Sequence, residues 1–308
     1  MRSTALLCLL AALPAHATWS VIATDTRTGQ VGAAVTSCVG ALDLTIAIST
    51  APGFGVVDAQ ATFDPSFKGR NLAAEKLRAG EAPADILRDI TDAGYDDDAG
   101  VRQFAVVDLA GRAAAFTGNA TLSWSGDRQR NDGRYAWSAQ GNILTSEKVV
   151  NQTSDAFQGC DLAARLMNAI EAGQANGEGD RRCTPNGLSA DSAILEVLAP
   201  DGGLLIHLDV TATSPSSAVT VIRPQFDAWR AQHPCPLDRV PETLTPARGC
   251  SSAGGLATPA LLLLLSARRR CGSPARSRRR RGRRPSSAPW RSSRTGTAPG
   301  TAPGSSTK

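Results

Sequence analysis

Histidine is scarce in this chain: three among 308 positions, at His16, His207 and His233. There is no His-rich cluster and no Cys-x-x-Cys, so a zinc centre is not expected and no metal ligand is assigned. A glycine-rich phosphate loop is missing too. Pro52-Gly53-Phe54-Gly55 has neither the Gly-x-Gly-x-x-Gly spacing nor a helix start behind it. Asp96-Asp97-Asp98 lacks the spaced carboxylates and closing Glu of a calcium loop and reads as a solvated acidic turn. The apolar stretch 256–265 is half the roughly 20 residues that cross a bilayer as a helix. No internal repeat is visible, and no cofactor is expected.

Acidic residues are absent after Glu242, and that absence explains a misleading net charge of +5. Of the 33 basic residues, 13 follow Ser266 and one is Arg2, which leaves 19 in the body against all 28 acids. The body is therefore acidic, which gives it no electrostatic reason to bind nucleic acid. A DNA-binding reading would rest on the arginine tail alone.

What is present begins at the N-terminus. Met1-Arg2 is a short basic start, residues 6–13 are apolar, and Ala15-His16-Ala17 supplies the small residues that signal peptidase requires. Residues 1–17 are expected to be a signal peptide, which makes the protein exported, extracellular or at the cell surface. Cleavage would leave Thr18 at the mature N-terminus. There the residue carries a hydroxyl nucleophile and a free α-amine whose ordinary pKa is about 7.7–8.0, so it can serve as its own base. Read without that context, Thr18 is simply the polar residue that starts a strand. Cys38, Cys160, Cys183 and Cys235 lie in the body and allow two disulfides in any of three pairings.

Strands are predicted over 19–26, 30–36, 42–50 and 56–62. Two helices follow within 66–93, the second opened by Pro83. Strands at 102–109 and 112–117 form a hairpin. Trp124, Tyr135 and Trp137 flank a polar loop over 126–133, and their default role is packing over a sheet end. Gln140-Gly141-Asn142 puts a glycine between two amides. One long helix is predicted over 153–172, a glycine-containing loop over 177–187, strands over 193–198 and 204–210, and a short helix over 224–232. Runs of strands and runs of helices are segregated, so the fold class is α+β, with helices covering packed antiparallel sheets.

Several of these pieces stand in one collinear order: Thr18-Trp19-Ser20-Val21-Ile22-Ala23, Gly29-Gln30-Val31-Gly32, Asp58-Ala59-Gln60-Ala61, Arg102-Gln103-Phe104-Ala105, Ala139-Gln140-Gly141-Asn142 and Gly179-Asp180-Arg181-Arg182. In this the chain resembles the domain of unknown function 1028 family, grouped with the N-terminal-nucleophile hydrolases, from Thr18 to about Ile222. The resemblance implies a four-layer α-β-β-α sandwich whose first strand opens at its N-terminus onto the active cleft. It also implies that Thr18 is the nucleophile. The family follows Asp-Arg-Arg with Gly and a small polar run; here Cys183-Thr184-Pro185-Asn186 intervenes, and a disulfide through Cys183 would rigidify the loop. Further on, Gly249-Cys250-Ser251-Ser252, the apolar stretch and Arg268-Arg269-Arg270 resemble myxobacterial C-terminal sorting signals.

The organisation expected is thus a signal peptide at 1–17, a hydrolase-like domain at 18–240, a linker and sorting tail at 241–270, and a disordered basic extension at 271–308. The expected activity is cleavage of an amide bond by Thr18, with Ser37, Gln60, Asn142, Asp180 and Arg181 as supporting or substrate-binding candidates. Expected partners are a small-molecule or peptide amide substrate and, transiently through the tail, the membrane and sorting machinery, with a homo-oligomer as an option. The alternative is a non-catalytic surface binding or structural module on the same fold.

Overall fold

A computed structural model describes residues 18–235. The expected signal peptide and the expectations for residues beyond 235 lie outside the described residues. Ten strands and five α-helices are described. The strands are β1 (Thr18–Asp25), β2 (Gln30–Ser37), β3 (Ile48–Ala51), β4 (Gly55–Ala61), β5 (Arg102–Asp108), β6 (Ala113–Thr117), β7 (Gly126–Asn131), β8 (Tyr135–Asn142), β9 (Ser192–Leu198) and β10 (Leu204–Val210). The helices are α1 (Lys68–Arg78), α2 (Pro83–Ile90), α3 (Lys148–Asp155), α4 (Leu162–Gly173) and α5 (Ala218–Gln232). The mixture of helices with antiparallel sheets is the α+β class read from the sequence.

Two sheets form, one ordered β10-β9-β2-β1-β8-β7 and the other β3-β4-β5-β6. Period-two alternation decides what each strand presents to either side. On β1, Trp19, Val21 and Ala23 join Leu162, Leu166, Met167 and Ile170 of α4 in one apolar cluster. Ile22 points the other way and joins Val35, Val56, Ala105, Val107 and Ala136 in a cluster between the sheets. On the far side of the smaller sheet, Val57, Phe104 and Val106 pack with Leu77 of α1 and with Ile86 and Ile90 of α2.

Several predicted elements take a different form, each for a local reason. The single helix over 153–172 is two helices. Asp161 accepts from the Ala164 backbone N–H and so caps a new start at α4, while Phe157 between them stacks on Trp137 with ring centroids 4.6 Å apart. The polar loop over 126–133 is largely strand β7; its charged residues suit a sheet edge that faces water. The strand predicted from 42 starts at Ile48, because Asp43 caps a 3-10 turn, Leu44–Ala47, ahead of it. The last helix starts at Ala218, not at Pro224, which it carries inside.

Candidate active site

The register brings three strand ends together. Thr18 begins β1 and lies opposite Ser37, the last residue of β2, on one side and Asn142, the last residue of β8, on the other. A close approach at this end calls for glycine at 141. A Cβ there would stand 2.5 Å from Leu144 Cδ1 and 3.0 Å from the Thr18 carbonyl oxygen. Thr18 is only 2% exposed, and its Oγ1 is 3.2 Å from Ser37 Oγ.

Continuing down the same face of β1, the residues between the sheets change character. Ile22 is in the apolar cluster, but Ser20 and Thr18 are polar and buried. The facing strands β4 and β5 and the neighbouring β8 do the same: Val56 gives way to Asp58 and Gln60 on β4, Ala105 to Gln103 on β5, and Ala136 to Gln140 and Asn142 on β8. One end of the inter-sheet space is thus apolar and the other a buried polar network. Ser20 Oγ donates to Asp58 Oδ2 at 2.5 Å and is 3.1 Å from Gln60 Oε1. Gln60 Nε2 donates to Gln103 Oε1 at 2.7 Å and lies 3.5 Å from the Thr18 carbonyl oxygen. Asn142 Nδ2 donates to the same Gln103 oxygen, and Gln103 Nε2 donates to the Gly141 carbonyl.

Among the described residues, the side chains that bond to Asp58 are the neutral Ser20 and Gln140. Burial pushes its carboxyl up to about 6, against the opposing bonds from Ser20, Gln140 and the Ala59 backbone. Asp58 Oδ1, Gln140 Oε1 and Asn142 Oδ1 are buried acceptors that, among the described residues, no donor reaches. Three such atoms in one network are a site that favours N–H or O–H donors. Gln60 also borders a small cavity walled by Phe63, Phe67 and Phe104, with Arg70 and Arg102 at its edge.

Two backbone outliers follow site residues directly. Ala61, after Gln60, has φ 71°, and Ile143, after Asn142, has φ 53°. A β-branched residue in that region is costly, and the surroundings hold it there: Ile143 N–H donates to Leu122 O, and Ile143 O accepts from Arg181 N–H.

The turn after residue 179 closes the site from the side. Asp180 is fully buried and accepts from the Cys38 N–H at 2.8 Å. It is Arg182, not Arg181, that pairs with Asp180, at 2.9 Å, and its Nη2 reaches Ser37 Oγ at 3.5 Å. Burial raises the Asp180 carboxyl and the Arg182 bonds oppose it. Arg181 is exposed, and among the described residues its side chain makes no ion pair. Ser37, Gln60, Asn142 and Asp180 therefore gather about Thr18, and Arg181 does not. Cys38 and Cys183 are bonded to each other, as are Cys160 and Cys235. This settles the pairing and disqualifies the Cys38–Cys183–Asp191 grouping as a metal site, because its sulfurs are already spent on one another.

The site holds four residues that stand in the family-resembling pieces but were not among the expected site residues: Ser20, Asp58, Gln103 and Gln140. The available signal was polar residues recurring at every second position inside strands otherwise built of Val, Ala and Ile.

The family described as "Family of unknown function (DUF1028)" matches residues 18–219. The chain belongs to the DUF1028 family. The match starts at Thr18, the residue at which β1 begins. Among solved structures, the DUF1028 chain is similar to the crystal structure of protein SPO2555 from Silicibacter pomeroyi, also given as DUF1028. Identity is 24%, with 70% of this chain and 89% of that one covered and a TM-score of 0.56, a likeness of fold. The chain has no match among curated proteins.

Proposed function

We propose that this chain is the precursor of an exported N-terminal-nucleophile amidohydrolase, activated by cleavage after Ala17. The order of packing, helices on a sheet on a second sheet on helices, supports the four-layer sandwich of that superfamily. The two disulfides support an oxidising destination. One coincidence carries the reading. The residue that follows the Ala15-His16-Ala17 cleavage pattern is also the residue whose hydroxyl stands at the polar end of the inter-sheet space, against Ser37.

In this mechanism the Thr18 oxygen attacks the amide carbonyl while the freed α-amine takes its proton. The amine then returns the proton to the leaving nitrogen as the C–N bond breaks, which gives an ester to Thr18; water hydrolyses it. Asn142, Gln60 and the strained backbone at Ile143 shape the space beside the carbonyl. The substrate is a small-molecule or peptide amide, and the orphaned acceptors on Asp58, Gln140 and Asn142 favour one rich in N–H donors. Screening small amides with the secreted protein tests this. Turnover by wild type that vanishes in Thr18→Ala supports the proposal. A mature N-terminus other than Thr18 by intact mass would rule it out and leave a binding or structural module on the same fold.

A further inference from the structure

The Cys38–Cys183 disulfide joins two residues that each follow a site residue directly. Cys38 comes after Ser37, whose hydroxyl is 3.2 Å from Thr18 Oγ1. Cys183 comes after Arg182, whose guanidinium is 3.5 Å from that same hydroxyl. The ring so formed is closed a second time by Asp180, which accepts from the Cys38 N–H and is bound by Arg182 through its backbone and both ends of its guanidinium. Asp191 holds the next two N–H groups, of Val39 and Gly40. The segments carrying Ser37 and Arg182 are 145 residues apart in sequence, yet the disulfide and Asp180 both fix one against the other, and Asp191 braces the Ser37 side.

We propose that Arg182 is a positioning residue for Thr18 and that the Cys38–Cys183 disulfide is the fixture that holds it in place. The proposal rests on Thr18 being the nucleophile. The chemistry follows from the donor order. Arg182 has only donors, so it fills an acceptor site on Ser37 Oγ. That biases the Ser37 proton toward Thr18 Oγ1, and Thr18's own proton is then directed away from Ser37, toward the α-amine that must accept it. The guanidinium also carries a positive charge two hydrogen-bond lengths from Thr18 Oγ1, and a like charge favours the neutral, proton-accepting form of that amine. Other groups facing the amine's surroundings are few. Asp58 on β4 acts through Ser20 and Gln60, and Asp180 is already engaged by Arg182. Ser37, Asn142 and Gln103 are neutral.

The test uses the mature protein and a β-lactone as probe. The Thr18 oxygen attacks the ring carbonyl, the ring C–O bond breaks, and the amine passes the proton to the departing alkoxide, so the mass rises by one whole lactone. Labelling rate is read by intact mass across pH 5–9. The wild-type rate rises through one midpoint. Arg182→Gln should move that midpoint up by about one pH unit and slow labelling below it about tenfold, while Arg182→Lys keeps the charge and restores most of the shift. Cys38→Ala/Cys183→Ala, with Cys160–Cys235 intact, should move the midpoint in the same direction, and it keeps the test available where Arg182→Gln does not fold. An unchanged midpoint in either folded variant overturns the proposal while leaving Thr18 as nucleophile. A wild type that the lactone does not label overturns both.

Discussion

Replacing Asp58 with Asn should make the protein more stable at neutral pH, although it alters a fully buried, hydrogen-bonded residue. The carboxyl is held at about 6, raised from an ordinary value of 3.8, by burial that its neutral partners do not offset. A group raised in the folded state contributes stability that is complete below its unfolded pKa and is lost as pH rises through its folded pKa. The window is therefore from about pH 4 to just above pH 6. Two units at about 1.4 kcal/mol each make the ionised carboxylate cost the fold ~3 kcal/mol at pH 7.5 relative to pH 4. The amide of Asp58→Asn has no charge to lose. It can still accept from Ser20, and a rotation of the Gln140 amide would meet its new N–H. Asp25 works in the opposite sense, since burial there is outweighed by bonds to Arg134 and its carboxyl is held low. It is common to both proteins and cancels in the difference. The assay is urea unfolding of wild type and Asp58→Asn at half-unit steps from pH 4 to 8, disulfides intact. The variant's advantage should grow by about 3 kcal/mol across that range. A difference that stays flat would refute the claim that Asp58 is a buried carboxyl without a compensating charge.

Three further outcomes follow from the same structure. Asp96 and Arg102 form a buried pair at 3.1 Å, so Arg102→Met, which strands the carboxylate, should cost ~3–5 kcal/mol in chemical denaturation. The joint change with Asp96→Asn should cost clearly less. Ala61 is buried at φ 71°, so Ala61→Gly should raise unfolding free energy by ~1 kcal/mol by relieving a left-handed residue; a loss of stability there would show that the methyl's packing matters more. Removing Cys160–Cys235, which closes 75 residues far from Thr18, should lower stability by ~2–4 kcal/mol and leave the lactone-labelling midpoint where it was.

Much of the fold was legible because period-two alternation and turn residues are local signals. Both hairpins around Gly29 and Gly111, the Asp201-Gly202-Gly203 turn and the paired helices after Ser66 form where the pattern puts them. The misreadings came where tertiary context overrides local pattern. An edge strand such as β7 needs no apolar face, so its Asp-Arg-Gln-Arg run looks like a loop. Helices α3 and α4 read as one because the apolar period continues across Phe157, whose ring is drawn into the core by Trp137. At the candidate site, the positions of Thr18 at a strand start and of Asp180 in a loop were read from the sequence, and the structure brings both beside Ser37. The choice between Arg181 and Arg182 was not legible, since neighbouring arginines differ only in which way a turn sends them. Asp58 stood in a quoted piece but was given no role, because a lone acid in an apolar strand gains meaning only once the facing strands bring Ser20 and Gln140 to it.

The central claim is that Thr18 is both nucleophile and base, and one labelling experiment on four mature forms addresses it. Wild type, Thr18→Ser, Thr18→Ala and a form with one glycine added before Thr18 are exposed to the β-lactone, and the adduct is located by intact mass and peptide mapping. Both substitutions leave the core volume nearly unchanged, so all four forms should fold. Wild type and Thr18→Ser should each gain one adduct on residue 18. Thr18→Ala, which lacks the hydroxyl, and the extended form, whose amine sits on another residue, should gain none. Equal labelling of all four, or an adduct located away from residue 18, would contradict the account.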